Sequence, residues 1–181
     1  RMLRENRLKN KTLVSTVMSN IGLERCIEDA GGKMIRTQVG DRYVVDEMRK
    51  GGYNFGGEQS GHLVLLDQGT TGDGVIGALQ VLASMVRQTK PLSALAKVMT
   101  IMPQVLLAIP VREKKTLSEI PGYVEAYDHA VSVLGKTGRV LVRYSGTERK
   151  ARVMVEGPDA NQNKTLANSL LEVISAHVGL D

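Results

Sequence analysis

The sequence predicts an α/β chain: a mixed α/β domain with a largely parallel sheet, followed by a smaller α+β domain. Three observations carry that expectation. β-branched runs alternate with helical stretches through the first half of the chain, the spacing of βαβ units. Glycine pairs stop the first two helices, at Gly31–Gly32 and Gly51–Gly52. Beyond residue 103, two apolar runs are joined by a short loop and followed by a long amphipathic stretch, which reads as a hairpin packed under a helix.

Taken in order, the chain opens in charged sequence that reads as the middle of a helix, which suggests a piece of a longer protein. "TLVSTVMSN" (12–20) reads as a buried parallel strand. "IGLERCIEDAGG" is a helix, "KMIRTQV" (33–39) the next strand and "DRYVVDEMRKGG" a second helix. "HLVLLD" (62–67) is a strand leaving a glycine-framed loop, "GGEQSGH". In "TTGDGVIGALQVLASMVRQTK", Asp73 caps a helix whose Val75, Ile76, Leu79, Leu82, Ala83 and Val86 share one face. "PLSALAKVMT" is a shorter helix, and the pattern changes around Met102 and Pro103. This divides the chain into domains at 1–102 and 103–181. The second reads as a strand (104–111), a helix (123–135), strands "GRVLVRYSG" and "ARVMVEG", and a last helix over roughly 160–178, with Leu166, Leu170, Val173, Ile174 and His177 on one side.

Composition excludes several function classes. The net charge is +5, which points to an anionic partner, but the basic residues are dispersed. With five Tyr, one Phe and no Trp, single-stranded nucleic acid finds few stacking platforms, so a small phosphorylated ligand fits better than a polyanion. No apolar run approaches the ~18 residues of a membrane span, and no secretory signal is visible, so neither membrane nor nucleic acid is expected as a partner. The single cysteine, Cys26, reads as a small core residue on a helix and agrees with a reducing cytoplasm. Oligomeric state stays open, a homodimer included.

Three stretches carry candidate chemistry. In "RYSGTERK" (143–150), Gly146 lets the backbone turn its N–H groups toward an anion, Ser145 and Thr147 add hydroxyl donors, and Arg143 adds a planar fork. Arg149, Lys150 and Arg152 add positive potential. An ordinary hairpin turn explains the same residues, and both readings stand. In "VGDRYV" (39–44), Gly40, Asp41 and Arg42 fall at a strand-to-helix junction, where open α/β sheets gather ligands; Asp41 also suits a helix N-cap and Arg42 a solvated first turn. In "GGEQSGH", Glu58 and Ser60 share a side and suit adjacent sugar hydroxyls, while Ser60 and His62 also point alike. A metal site is disfavoured there because Glu58 and His62 lack ligand spacing, and no nucleophile-elbow sequence surrounds Ser60. "AVSVLGKT" (130–137) matches a relaxed P-loop but runs helix to strand, the wrong order for one, so Gly135 reads as a helix C-cap.

GGEQSGH, RYSGTE and VGDRYV in this arrangement, with "TVMSNIGLE", "TTGDG" and the junction before "PVREKK", resemble the α-D-phosphohexomutase superfamily, most closely its bacterial amino-sugar branch. The resemblance runs along essentially the whole chain. It implies four domains around a central cleft and an isomerase that interconverts hexose 6-phosphates and 1-phosphates. For the amino-sugar branch it implies a glucosamine phosphate substrate, feeding cell-wall precursor synthesis. A phosphoserine on the first domain, a hexosamine bisphosphate intermediate and Mg²⁺ held by an Asp-rich loop are implied with it. By that likeness Glu58 and Ser60 bind sugar hydroxyls and Gln59 matches the amino-sugar enzymes. Gly40, Asp41, Arg42 and His62 line the cleft, and Arg143, Ser145, Gly146 and Thr147 hold the non-reacting phosphate. Many members have proline after the loop's glutamate; here Arg149 stands there. Neither the serine motif nor an Asp-x-Asp-x-Asp-Arg loop occurs in these 181 residues. The chain thus resembles most of the third domain plus the fourth, with no catalytic residue and no metal ligand of its own, and no mutase activity is expected of it alone. A relative acting on mannose or glucose phosphates, or a non-catalytic sugar-phosphate-binding module, are the alternatives.

Overall fold

The computed structural model describes residues 1–180. The chain divides into two compact units, Arg1–Ile101 and Met102–Asp181.

The first unit is built on a four-stranded sheet in the order β2-β1-β3-β4. β1 (Thr12–Thr16) pairs parallel with β2 (Lys33–Thr37) along its whole length and with β3 (Phe55–Gly57) at Val14–Gly56. β4 (Leu63–Leu65) returns antiparallel on β3, with Phe55 opposite Leu65 and Gly57 opposite Leu63. Every residue of β1 is buried, as a central strand covered on both faces requires. α1 (Ile21–Asp29) packs on β2, and α2 (Asp41–Gly51) on β3 and β1. Val14, Val44, Val45, Met48 and Val64 form the core between them. α3 (Gly74–Gln88) lies on β4, and α4 (Leu92–Leu95) follows after Pro91. Because β1, β2 and β3 run parallel, the segments leaving Thr16, Thr37 and Gly57 share the carboxyl edge of the sheet.

Several local expectations are corrected. The opening residues form turns and a one-turn 3-10 segment, Lys9–Lys11, rather than the middle of a helix; Asn6 and Asn10 adopt left-handed backbone, each with φ of 53°, which asparagine tolerates and a helix does not. β1 ends at Thr16, and Asn20 caps α1 by accepting the Gly22 N–H. β2 stops at Thr37, so Val39 lies outside it. Asp41 is not the N-cap of α2: Gly40 occupies that position with φ of 134°, a backbone open to glycine, and Asp41 is the first helical residue. Asp73 does cap α3, accepting from Val75 and Ile76 N–H.

The apolar face assigned to α3 is split. Gly77 is buried and Ile76, Ala83 and Ser84 are half-buried, whereas Val75, Leu79, Leu82 and Val86 are exposed. Gly77 approaches the Leu63 side chain so closely that an added Cβ would lie 3.3 Å from it, so small residues, not the large ones, meet β4. Cys26 is half-buried rather than in the core, its thiol donating to the Val98 carbonyl at 3.1 Å.

The second unit is α+β. β5 (Gln104–Pro110) and β6 (Arg139–Tyr144) flank β7 (Lys150–Glu156), all antiparallel. α5 (Tyr123–Leu134) and α6 (Ala160–Val178) cover one face. Ala151, Val153 and Val155 of β7 meet Leu166, Leu170 and Ile174 of α6 in a closed core. Asp159 caps α6 through the Asn161 and Gln162 N–H groups. α5 ends at Gly135, and Gly135–Thr137 is a 3-10 turn leading into β6, the order that excludes a P-loop.

One core residue gives this unit a pH response. Tyr123, 8% exposed and stacked on Tyr127 at 5.9 Å, has its phenol pushed up to about 12 by burial first, then by Tyr127 and Tyr144. The unfolded chain ionises this group near 10, so between pH 10 and about 12 the unfolded state binds fewer protons and stability falls as pH rises. The contribution is whole below pH 10. Urea unfolding on either side of pH 10 is expected to show this slope, and Tyr123→Phe to remove its share of it.

Candidate functional site

The carboxyl edge of the first sheet brings the candidate residues of that unit together. The Glu58 N–H donates to His62 O at 2.9 Å and the Gly61 N–H to Glu58 O at 3.1 Å, closing a tight turn between β3 and β4 with Gly61 at φ of 100°. Glu58 has a side chain only 10% exposed, and its Oε1 accepts the Gly40 N–H at 2.8 Å. One carboxylate oxygen therefore latches the loop after β2 to the loop after β3. The other, Oε2, lies 3.5 Å from Ser60 Oγ and 4.0 Å from His62 Nδ1. Ser60 Oγ and His62 Nδ1 are 3.1 Å apart. Glu58, Ser60 and His62 thus form one polar cluster with Ser60 and His62 exposed.

Gln59 points elsewhere. Its side-chain oxygen lies 3.3 Å from the Thr16 hydroxyl, which ties the middle of the turn to the end of β1. Beneath it, Ser15 Oγ bonds Gly57 O at 2.8 Å and Ser19 Oγ at 2.5 Å. Arg36 donates to Thr16 O and Ser19 O and pairs with Glu24 at 3.1 Å. This buried polar scaffold fixes the turn's backbone, and such networks are rigid when their members are satisfied. Asp41 and Arg42 are exposed: Asp41 Oδ1 accepts the Arg42 N–H, and Arg42 makes a loose 3.6 Å pair with Asp46. Of the "VGDR" stretch, only Gly40 is bonded to the Glu58 cluster among the described contacts.

An open pocket of about 310 Å³ is lined by Ser60, Gly61, His62 and Leu63 on one side and Gly72, Asp73 and Gly74 on the other. The residues at 72–74 were not singled out as site residues from sequence; the "TTGDG" string was the available signal. Among the described residues, no group of three or more His, Cys, Asp or Glu lies together where a metal ion would be held, so these residues do not fit Mg²⁺.

In the second unit, the loop between β6 and β7 has a different character. Register places Arg143 directly opposite Arg152, on the sheet face away from the helices, since Val142 and Val153 beside them pack into the core. Like charges facing each other across strands repel. Burial first, then Arg152, lowers the Arg143 pKa. Arg143 has no carboxylate partner among the described residues; its hydrogen bond is a long one, 3.5 Å to Tyr144 O. Arg152 is paired at 2.5 Å with Glu148, which also binds Lys150 at 2.6 Å. Those hydrogen bonds, Lys150's first, hold the Glu148 carboxyl below its usual range.

Ser145 is 4% exposed. Its N–H bonds Lys150 O at 2.9 Å and its hydroxyl oxygen accepts the Glu148 N–H at 3.3 Å, so its own proton remains to be donated. The N–H groups of Gly146 and Thr147 donate to nothing within the described residues, and a Cβ added at Gly146 would meet nothing within 4 Å. Two backbone donors unpaired among the described residues, a hydroxyl and an unmatched arginine make a cation-rich loop suited to an anion. Sequence reasoning missed Lys114, whose Nζ lies 2.6 Å from Ser145 O; nothing in "REKK" marked one lysine over its neighbour.

The Tyr144 hydroxyl is sealed from solvent with no hydrogen-bond partner among the described residues, and burial, then Glu113, raises its pKa. A buried polar group left unmatched costs about 1–3 kcal/mol. Tyr144→Phe is therefore expected to raise thermal stability, and a lowered melting temperature would contradict that.

The chain matches the phosphoglucomutase/phosphomannomutase alpha/beta/alpha domain III over residues 1–102 and the C-terminal domain of the same proteins over residues 106–173. It belongs to the phosphoglucomutase/phosphomannomutase family. More particularly, it is 54% identical over 178 residues, 98% of its length, to the phosphoglucosamine mutase of Pelobacter propionicus, and 55% identical over 174 residues to that of Myxococcus xanthus. It spans 39% and 38% of the length of those relatives. Among solved structures, the Aspergillus fumigatus N-acetylphosphoglucosamine mutase in complex with GlcNAc-6P and magnesium covers 93% of the chain with a TM-score of 0.75 at 19% identity, using 42% of its own length. An N-acetylglucosamine-phosphate mutase of the α-D-phosphohexomutase superfamily, in its substrate complex, covers 90% at a TM-score of 0.73, with 21% identity and 38% of its own length. At those identities the likeness is one of fold.

Proposed function

We propose that the chain supplies sugar and phosphate recognition to a phosphoglucosamine mutase, which interconverts glucosamine 6-phosphate and glucosamine 1-phosphate through a phosphoserine and a bisphosphate intermediate. Residues 1–102 act as the sugar-binding domain and 103–181 as the phosphate-binding domain. The observation that carries the reading is the loop at Ser145–Thr147: two unpaired N–H groups beside the cross-strand Arg143 and Arg152. A dianionic phosphate relieves that like-charge contact while satisfying the free donors. Ser60 and the second carboxylate oxygen of Glu58, only loosely bonded to each other at 3.5 Å, present a donor and an acceptor for neighbouring sugar hydroxyls, and Gly40 holds Glu58 in place. Gln59, tied to Thr16, contributes to specificity by fixing the turn. The phosphoserine and the Mg²⁺ site are assigned to sequence other than these 181 residues, and the reaction to the cytoplasm.

The specificity follows from an equilibrium competition. Glucosamine 6-phosphate is expected to displace a fluorescent phosphosugar from the chain more effectively than glucose 6-phosphate or mannose 6-phosphate. A preference for either neutral hexose would move the reading to a phosphoglucomutase or phosphomannomutase; equal displacement by inorganic phosphate would leave only the phosphate loop.

A further inference from the structure

We propose that Lys114 is the positioning residue of the phosphate loop, aiming the Gly146 and Thr147 N–H groups at the anion; this deepens the phosphate reading and rests on it. Lys114 reaches the loop from a pinned segment. Val111, fully buried, donates its N–H to Arg149 O at 2.9 Å, and the Arg112 N–H donates to Val178 O at 2.9 Å. Three residues after Val111, the Lys114 ammonium meets Ser145 O at 2.6 Å and Gly146 O at 3.5 Å.

Two consecutive carbonyls therefore turn toward one cation. In a planar trans peptide, the carbonyl of one residue and the N–H of the next point in opposite directions. Fixing the Ser145 carbonyl sends the Gly146 N–H away from Lys114, and the lean of the Gly146 carbonyl sends the Thr147 N–H the same way. Those are the two donors without partners among the described residues, and the space about Gly146 is open, since a Cβ added there would meet nothing within 4 Å. Successive N–H groups directed to one side form an anion-receiving nest. Without the ammonium, the same carbonyls are free to rotate into that space and present oxygen to the anion. Lys115, adjacent and equally charged, makes no hydrogen bond or ion pair among the described residues, so charge and position separate cleanly between neighbours.

The test is a titration of the whole chain with inorganic phosphate, followed by the ¹⁵N–¹H resonances of Gly146 and Thr147. Wild type is expected to show saturable shifts at both. Lys114→Met is expected to weaken binding roughly 10-fold or more, the scale of a lost hydrogen bond to a charged group, and to shift these two amides even before phosphate is added. Lys114→Arg, keeping charge and donors, is expected to restore most of the affinity, and Lys115→Met to bind as wild type does. β6 and β7 amides unchanged across the set would show that the fold is intact; if Lys114→Met does not fold, the neutral Lys114→Gln takes its place. Unaltered affinity without the Lys114 amine, or an equal loss in Lys115→Met, would overturn the positioning role while the phosphate loop stands. No shift in wild type would remove the phosphate loop, and this inference with it.

Discussion

Replacing Arg139 by methionine is expected to destabilise the second unit by about 3–5 kcal/mol, the cost of stripping one partner from a buried ion pair. Glu156 is fully buried at the end of β7, and Arg139, directly opposite it on β6, approaches Oε2 at 2.6 Å. Methionine keeps the apolar stem and removes the charge, so the loss reads the removed ion-pair partner of a buried carboxylate rather than lost packing. Hydrogen exchange of the β7 amides localises the effect to this sheet. Pairing Arg139→Met with Glu156→Met is expected to recover much of the loss, because two apolar residues leave no buried charge. A single-mutant change under about 1 kcal/mol would show that the pair is screened, as exposed pairs are.

The second large effect is on binding. Arg143→Met is expected to weaken phosphate affinity by about 1.5–3 kcal/mol, the worth of hydrogen bonds to a charged group, which is roughly 10- to 100-fold. The fold is expected to tolerate it, and even to gain slightly, because Arg143 has no carboxylate partner among the described residues and faces Arg152. Lower affinity with equal or higher stability is the signature of a residue kept for a ligand. If stability falls and affinity does not, Arg143 is structural and the loop is the ordinary turn its composition also allows.

Much of the architecture is legible in the sequence because the strongest local signals agree with it. The β-branched run of β1 is buried throughout, the glycine stops after α1 and α2 fall where the helices end, and Asp73 caps α3. What escapes the sequence depends on packing across elements. β3 is three residues long and two are glycine, too short for any period to register. The face of α3 was read by hydrophobicity, but close approach to β4 favours Gly77 over the larger residues. In the site, residue identity pointed to Glu58 and Ser60, yet not to the latch from Gly40 or to Gln59 turning toward Thr16. Those depend on three loops that parallel pairing brings to one edge. The loop at 145–147 was readable as a turn with anion-binding residue types, whereas the Arg143–Arg152 apposition is a matter of register, and Lys114 of a chain segment 31 residues away from Ser145.

The most direct measurement of the central claim is an amide-resonance titration of the chain with glucosamine 6-phosphate. Sugar recognition by the first unit and phosphate recognition by the second predict saturable shifts in each, at 58–60 and at 146–147, with Arg143→Met weakening the response at 146–147. Shifts at neither loop, or spread over the basic surface and lost with modest salt, would contradict it.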